Sequence, residues 1–156
     1  MGEVRENITL INADDLTRAR GSFLKEQEVR QVTAPVLVDT GCGSLILTEA
    51  TAMRLGLEVR DPQIVTVAGG EKKEGMKAGA VEVHWKDRYT ICFPIVLPGE
   101  DQDLLGVIPL EDMDLLVDPV NQRLAGAHGD MWAKFVRAVQ STQPPPPALP
   151  GPHALH

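Results

Sequence analysis

The residues best suited to chemistry form the triplet Asp39-Thr40-Gly41, which directly follows the apolar run 35–38. A run that is apolar at every position is typical of a strand covered on both faces, and such a strand would hold Asp39 in poorly solvated surroundings. Two carboxylates about 3 Å apart share one proton; one activates a water molecule while the protonated one hydrogen bonds the carbonyl under attack. The triplet therefore predicts hydrolysis by a carboxylate pair, with Asp39 as the catalytic residue.

The two residues after Asp39 suit the same task. The Thr40 hydroxyl can lock the loop against a symmetry-related copy, and Gly41 leaves space where two backbones approach each other and a substrate. Taken alone, the triplet also fits a strand that ends in a turn, with Asp39 accepting backbone hydrogen bonds. Features elsewhere in the sequence have to decide between these interpretations.

The second carboxylate must come from another molecule, since the sequence contains only one Asp-Thr/Ser-Gly triplet. A two-fold axis would bring Asp39 against its twin, because an isologous interface places the same surface of both copies in contact. The sequence therefore predicts a homodimer whose cleft lies on the axis and takes a peptide or protein substrate. Mildly acidic conditions should favour hydrolysis, because the pair then holds a single proton.

The elements that would position the triplet are short strands separated by turns, which is typical of a small closed β-architecture. Strands are predicted over residues 8–11, 28–38, 45–47, 64–67, 81–85 and 89–96. A short helix over 16–20 should be capped by Asp14-Asp15 and end at Gly21. A second helix should begin after Thr48 and end at Gly56 in the left-handed conformation.

Three features of the sequence favour the catalytic interpretation of Asp39. The first is the apolar run 35–38 before the triplet, and the second is a glycine-rich hairpin predicted over 66–79, roughly midway through the domain, where a mobile flap would lie. The third is Leu104-Leu105-Gly106, which precedes a helical turn over 109–113. A terminal hairpin should follow over 115–124.

Five segments share a pattern with one known family: Val-Leu-Val-Asp-Thr-Gly at 36–41, Arg-Leu-Gly-Leu at 54–57, Val-Leu-Pro-Gly at 96–99, Leu-Leu-Gly-Val-Ile-Pro-Leu-Glu-Asp-Met-Asp at 104–114 and Val-Asp-Pro at 117–119. In them the chain resembles the retropepsin-like aspartic peptidases, specifically their small single-domain bacterial members. The resemblance implies an all-β fold, a small closed β-barrel of retropepsin type with a short helix after the catalytic loop and a C-terminal helix. It also implies that Asp39 is catalytic, that Thr40 and Gly41 support the loop, and that Leu104-Leu105-Gly106 packs behind it.

The chain departs from the family pattern at three places. Cys42 stands where Ala usually follows the triplet, and Gly43 stands where a polar residue often binds the substrate backbone. In the flap, Ala68-Gly69-Gly70 replaces the common Ala-Asp-Gly. The resemblance implies that the substrate-binding residues are those at these positions: Gly43, Ala68, Gly69 and Gly70.

The composition divides the chain into three parts. Residues 1–126 carry the retropepsin-like domain, and 127–141 should form a C-terminal helix that is capped by Asp130 and amphipathic. Residues 142–156 hold four consecutive prolines and no core-forming pattern. We expect this tail to be disordered, because it cannot bury enough apolar surface to fold.

Composition also excludes several classes of function. The formal net charge is −7, whereas nucleic-acid binding needs concentrated Lys and Arg, so no nucleic-acid partner is expected. No apolar run approaches the roughly 20 residues that span a bilayer, and the polar first residues are unlike a secretory signal. We therefore expect no membrane association and a cytoplasmic location. The four histidines are scattered and the two cysteines lack metal-ligand spacing, so no metal and no other cofactor is expected.

Two other functions stay open. Cys42, beside the catalytic loop, could be the nucleophile of a hydrolase, although no His partner is evident; alternatively, its oxidation could block the cleft. A catalytically idle β-barrel homodimer could bind a peptide or a partner protein. Gly43 favours this second alternative, and the intact triplet Asp39-Thr40-Gly41 opposes it.

Overall fold

Strand β1 (Val4–Asn12) lies inside the main sheet, and its even-numbered side chains turn towards the interior. The computed structural model describes residues 3–128 of the 156-residue chain. β1 pairs antiparallel with β2 (Gln31–Val38) on one side and with β6 (Val81–Trp85) on the other. Ile8 and Leu10 are almost fully buried, so β1 contributes two of the main core side chains.

Eight more strands and three helices are found among residues 3–128. The strands are β3 (Leu45–Leu47), β4 (Val59–Thr66), β5 (Lys72–Ala78), β7 (Arg88–Cys92), β8 (Ile95–Val96), β9 (Leu104–Leu105), β10 (Leu115–Asp118) and β11 (Arg123–Gly126). The helices are α1 (Ala13–Arg20), α2 (Glu49–Leu55) and α3 (Val107–Asp112), and two 3-10 turns span Glu26–Glu28 and Ala68–Gly70. In this part of the chain, no helix has the length and apolar composition needed to cross a membrane.

Nine strands form one sheet in the order β4-β5-β8-β3-β9-β2-β1-β6-β7, which curls into a half barrel. β10 and β11 form a separate hairpin, as predicted for the terminal segment. β9 pairs parallel with β2 and antiparallel with β3, so it is inserted between the strand before the catalytic loop and the strand after it. The all-β fold class predicted from the sequence is confirmed, and the half barrel is compatible with the predicted closed barrel.

The core is mainly aliphatic, as the aromatic content of 4% requires. Its largest cluster joins the main sheet to α3 and the terminal hairpin through Leu110, Met113, Leu115 and Leu124. Each fully buried Leu or Met contributes about 1.5–3 kcal/mol through the hydrophobic effect. The segment after β9 is thus packed firmly against the strands that carry the catalytic loop.

Helix α2 has both predicted caps. The Thr48 hydroxyl accepts a hydrogen bond from the backbone amide of Thr51 at 3.1 Å, and Gly56 ends the helix with φ 62° and ψ 35°. A side chain at Gly56 would also collide with Arg30, whose Nη1 would lie 1.8 Å from an added Cβ. The left-handed backbone conformation therefore favours glycine at this position, and a larger residue would also have to displace the Arg30 side chain.

Helix α1 ends at Gly21 as predicted, but its predicted N-terminal cap is wrong. The helix begins at Ala13, and the side chain of Asn12 accepts a hydrogen bond from the backbone amide of Asp15 at 3.0 Å. Asn12 can do so because it is the last residue of β1 and keeps an extended backbone. The Asp15 carboxylate turns away to bind Arg30.

Two strand predictions are also corrected. The predicted strand 89–96 is two strands, β7 and β8, which break at Phe93-Pro94 and lie in different parts of the sheet. The predicted strand 64–67 begins earlier, at residue 59, as β4, and its partner β5, which contains Gly75, is the second strand of the predicted glycine-rich hairpin. An added Cβ at Gly75 would lie 2.7 Å from Ile95 Cγ2, so the glycine serves close strand packing rather than a turn.

The apolar run 35–38 is covered less evenly than predicted. Val36 is buried and Leu37 and Val38 are half-buried, but Pro35 is exposed. β9 reaches β2 only at Leu37 and Val38, which leaves the start of the run without that neighbour.

The predicted C-terminal helix over 127–141 and the tail over 142–156 lie outside the described residues. Residues 127 and 128 are the exception, and they form a turn.

Candidate active site

Asp39 begins the segment 39–44, which joins β2 to β3. This segment is called the catalytic loop after the role predicted for Asp39. The backbone amide of Asp39 donates a hydrogen bond to the carbonyl oxygen of Leu105 at 3.0 Å, which extends the pairing of β2 with β9. Its Oδ1 accepts a hydrogen bond from the backbone amide of Gly41 at 3.0 Å. A purely structural turn makes this second bond too, so the bond alone does not identify a catalytic carboxylate.

Leu104-Leu105-Gly106 packs directly behind the catalytic loop, in the arrangement that the resemblance implied. A Cβ added at Gly106 would lie 2.3 Å from the carbonyl oxygen of Ser44 and 2.6 Å from that of Cys42. Beyond this contact, the backbone amides of Val107 and Ile108 donate to the carbonyl oxygens of Cys42 and Gly43 at 2.8 and 3.0 Å. The start of α3 is therefore bonded to the loop, and only glycine fits between them.

Thr40 and Gly41 lie on the outer side of the loop, and both are exposed. Within residues 3–128, the Thr40 hydroxyl has no hydrogen-bond partner. A Cβ added at Gly41 would lie 3.2 Å from Asp39 Oδ1, which is tighter than ordinary van der Waals contact. The loop thus presents an unused hydroxyl beside a carboxylate that is covered on one side by its own backbone.

A groove of about 580 Å³ separates the catalytic loop from the hairpin of β4 and β5. Its walls come from the loop, from that hairpin, from the turn after β7 and from the first turn of α3. They are lined by Gly41, Cys42, Gly43, Ser44, Leu45, Gln63, Ile64, Val65, Thr66, Lys77, Cys92, Phe93, Ile95, Ile108 and Pro109. The groove is large enough for several side chains of an extended peptide.

The predicted substrate-binding residues are divided between two places. Gly43 lines the groove and is exposed, with Ile108 Cδ1 as the nearest atom to an added Cβ at 3.9 Å. The segment Ala68-Gly69-Gly70 forms the tip of the β4–β5 hairpin, and its two glycines are not among the described residues that line the groove. Gly69 and Gly70 have φ values of 88° and 81°, so this tip needs glycine for its backbone conformation.

Most of the groove wall was not predicted from the sequence. Ile64, Phe93 and Ile108 are large apolar residues that remain 66%, 46% and 61% exposed. Ile64 and Phe93 were assigned only to strands and Ile108 to no helix or strand, because a pattern of apolar residues does not reveal which of them lack cover. Phe93-Pro94 was the available signal, since an aromatic residue before a strand-breaking proline marks a turn at the surface.

A buried carboxylate, Asp103, supports the loop from the side of α2. Its Oδ1 accepts a hydrogen bond from the Thr48 amide and its Oδ2 accepts one from the Thr51 hydroxyl, both at 2.8 Å. Its carbonyl oxygen accepts from the backbone amide of Leu37 at 2.9 Å. Asp103 thereby ties the start of α2 to the strand that ends at Asp39.

The cysteine of the catalytic loop is unsuited to nucleophilic chemistry. Cys42 is 1% exposed, and its Sγ donates a hydrogen bond to the carbonyl oxygen of Ser44 at 3.5 Å. Burial raises the pKa of the Cys42 thiol, and the nearby charge of Asp39 raises it further. Burial also raises the pKa of Cys92 to about 12. Nucleophilic cysteines need the opposite shift, so the structure argues against the cysteine hydrolase.

The two described histidines are engaged away from the catalytic loop. His84 hydrogen bonds Glu82 at 2.8 Å and stacks on Tyr89, while His128 bonds Asp114 at 2.8 Å. Among residues 3–128, no three His, Cys, Asp or Glu side chains gather as ligands for a metal ion.

The sequence profile of the aspartyl protease family matches residues 26–107, which is just over half of the chain. The chain belongs to the aspartyl protease family. The matched range runs from the turn before β2 to the first residue of α3, so it includes the whole catalytic loop, the groove hairpin and Leu104-Leu105-Gly106. Membership in this family points to a hydrolase, and it confirms the family predicted from the sequence. No curated protein sequence matches this aspartyl protease family member.

The solved structures that are similar to this chain in fold include the following two. The retroviral protease-like domain of Ddi1 from Leishmania major shares 18% sequence identity, with a TM-score of 0.50 over 80% of this chain and 88% of that one. A retropepsin-like aspartic protease from Rickettsia conorii shares 22% identity, with a TM-score of 0.46 over 75% of this chain and 77% of that one. At 18% identity, the first of these similarities shows a retroviral protease-like fold and nothing finer.

Proposed function

We propose that the protein is an aspartic endopeptidase whose active site forms when two copies of the chain bring their Asp39 carboxylates together. The observation that carries the proposal is the placement of Asp39. Its backbone is fixed by Leu105, its Oδ1 is held by the amide of Gly41, and its loop borders a groove that could hold a peptide. Family membership supports the same chemistry.

The proposed reaction needs only the two carboxylates and water. The ionised Asp39 takes a proton from a water molecule, whose oxygen adds to the carbonyl carbon of the peptide bond. The protonated Asp39 of the second copy hydrogen bonds the carbonyl oxygen as negative charge develops on it. The C–N bond then breaks as its nitrogen takes the proton that Asp39 accepted from water. The pair is left with one proton again.

The homodimer follows from the same chemistry, because the chain has a single Asp-Thr/Ser-Gly triplet. Exposure of Thr40 and Gly41 supports it, since both lie where a second catalytic loop would approach. In this dimer the Thr40 hydroxyl acquires a partner in the other copy, and the flap tip Ala68-Gly69-Gly70 closes over bound substrate. The cytoplasmic location and the bacterial affiliation remain predictions from the sequence.

A second candidate is a catalytically idle homodimer that binds a peptide or a partner protein. The exposed Gly43 favours it, because this position offers no polar side chain to hold a substrate backbone. The groove would serve such a binding protein equally well, whereas the intact triplet Asp39-Thr40-Gly41 opposes this candidate.

Cleavage and inhibitor binding discriminate between the two candidates. We would profile a peptide library at several pH values, titrate a statin-type inhibitor, and repeat both with Asp39→Asn and with the exposed control Asp101→Asn. For the peptidase, Asp39→Asn should lower kcat/KM by roughly a thousandfold or more and abolish inhibitor binding, while the dimer persists. Cleavage that survives Asp39→Asn, or a strictly monomeric active protein, would refute the proposal. Peptide binding without cleavage would establish the idle dimer.

A further inference from the structure

Among the described residues that line the groove, Lys77 is the one with a charged side chain. The other walls of the groove are apolar, small or uncharged, and Ile64 and Ile108 are each more than half exposed. The protein as a whole is acidic, with a net charge of −7. A groove lined by a lysine therefore differs in charge from the rest of the molecule. The neighbours of Lys77 show what this charge is available to bind.

Lys77 Nζ lies 5.2 Å from the centre of the Phe93 ring, and Arg60 Cζ lies 5.6 Å from the same ring. Both distances are within the range of a cation–π interaction. Within residues 3–128, neither cation has a carboxylate oxygen within 4 Å, even though Asp61 is the cross-strand neighbour of Lys77. Lys73 on the same strand, by contrast, is paired with Glu100 at 2.8 Å.

Phe93 therefore brings Lys77, which lines the groove, and Arg60 together over one ring without neutralising them. An aromatic ring attracts a cation through its quadrupole but carries no net charge, so the positive potential of the pair remains. A bound peptide would exclude water from the groove, which strengthens the attraction between Lys77 and an anion. The exposed side chains of Ile64 and Ile108 would be covered by the same peptide.

We propose that Lys77 is a specificity-determining residue that binds a carboxylate of the peptide, with Arg60 and Phe93 positioning it. The occupant is a peptide that places an apolar side chain against Ile64 and Ile108 and an acidic group towards Lys77. This inference rests on the proposed peptide-binding function of the groove. The carboxylate is either an Asp or Glu side chain or the C-terminus of the peptide, because both present the same anion.

The test uses a set of peptides with one apolar anchor and with Glu, Gln or Lys at each neighbouring position. Each peptide is made with a free and with an amidated C-terminus, which separates the two sources of the carboxylate. We would measure kcat/KM for the wild-type chain and for Lys77→Glu and Lys77→Met, and peptide binding to the same three forms in an Asp39→Asn background.

Lys86→Glu is the matched control. It makes the same charge change in a lysine that also lies over an aromatic ring, with its Nζ 4.6 Å from the centre of Trp85, but that does not line the groove. Any effect of overall charge on the protein would appear equally in Lys77→Glu and in this control.

We expect the wild-type chain to prefer Glu over Gln at one position, or a free over an amidated C-terminus, by about threefold to tenfold. Lys77→Met should abolish this preference, Lys77→Glu should invert it in favour of Lys, and Lys86→Glu should retain it. Equal binding of all peptides, an equal shift in the control, or no peptide binding at all would overturn the inference. Acid-selective binding without cleavage would leave the inference standing and refute the peptidase instead.

Discussion

Gly106 lies so close to Ser44 that a Cβ on the glycine would be 2.3 Å from the carbonyl oxygen of the serine. Because β9 pairs with both β2 and β3, the two ends of the catalytic loop are spaced by the width of this one strand. The contact between Gly106 and Ser44 therefore sets how closely the loop can lie over β9, and hence where Asp39 is presented.

Replacing Gly106 should disrupt this packing. In Gly106→Ala the new methyl group meets backbone atoms, which cannot rotate away, so we expect a loss of about 3 kcal/mol in the free energy of unfolding, as in overpacked cores. Urea denaturation measures it. Gly43→Ala is the control for stability, since its nearest neighbour is 3.9 Å away, and it should change stability by less than about 0.5 kcal/mol. Equal stability of the two variants would show that the loop is not confined by β9.

The stability of the fold should also depend on the buried carboxylate of Asp103. Asp103→Ala leaves the Thr48 amide and the Thr51 hydroxyl without their acceptor, and each unsatisfied buried group costs about 1–3 kcal/mol. We expect destabilisation of about 3 kcal/mol by urea denaturation. The neighbouring exposed variant Asp101→Ala should be almost neutral, and a similar loss in both variants would contradict the proposed role of the carboxylate.

The parts of the fold that follow from local chemistry could be predicted from the sequence. Thr48 and Gly56 cap α2 as expected, because a side-chain acceptor and a left-handed glycine act within one turn of the backbone. The position of Asp39 at the end of β2 follows equally from an apolar run that stops at a carboxylate. Leu104-Leu105-Gly106 was placed by resemblance to a family, whose pattern records a contact made across the fold.

The parts that depend on distant neighbours could not be predicted. Gly75 reads as a turn residue, and its real role appears only when β8 packs against β5. Phe93 gathers Lys77 and Arg60 from a hairpin that precedes it in the chain, and no short-range pattern connects them. Aspartate is a residue type that often caps helices, but Asp15 binds Arg30, fifteen residues later in the chain.

The buried Cys42 thiol should react slowly with alkylating and oxidising reagents. Its pKa is raised by burial, so at neutral pH it stays protonated, and the protonated thiol is the unreactive form. We expect iodoacetamide to modify Cys42 in urea-unfolded protein but not, over the same time, in the native protein. Mass spectrometry of digested fragments measures the modification. Peroxide should accordingly leave activity unchanged. Rapid labelling of the native protein would show that Cys42 is reactive. It would then support the hypothesis that oxidation of Cys42 blocks the cleft.

The pH dependence of hydrolysis tests the shared proton. In the proposed dimer, two like carboxylates in one pocket would not both ionise easily, so the active form would hold one proton and should be populated in mildly acidic solution. We expect kcat/KM to pass through a maximum below neutral pH and to fall on both sides. A flat profile between about pH 4 and 9 would be incompatible with a carboxylate pair, whatever the effect of Asp39→Asn.

The ion pair of Asp15 with Arg30 should make folding stability sensitive to acid. The buried carboxylate accepts three hydrogen bonds from Arg30, from the backbone amide and from Nε and Nη2, at 2.8–3.0 Å. The side-chain hydrogen bond to Arg30 holds the pKa of Asp15 below its ordinary value of 3.8, against the opposing effect of burial. A lowered pKa means that the unfolded chain binds this proton more readily than the native one.

The stabilisation by Asp15 is therefore fully present above the unfolded pKa and is lost as pH falls through the lower native value. Asp15→Asn should cost about 2 kcal/mol at pH 7, and the difference from the wild-type chain should shrink as the pH falls below the ordinary Asp value of 3.8. Urea denaturation at pH 7, 4 and 3 measures both effects. Asp14→Asn removes an exposed carboxylate from the same helical turn and should change stability little at any of these pH values. A wild-type advantage over Asp15→Asn that stays constant down to pH 3 would mean that the native pKa is not lowered by Arg30.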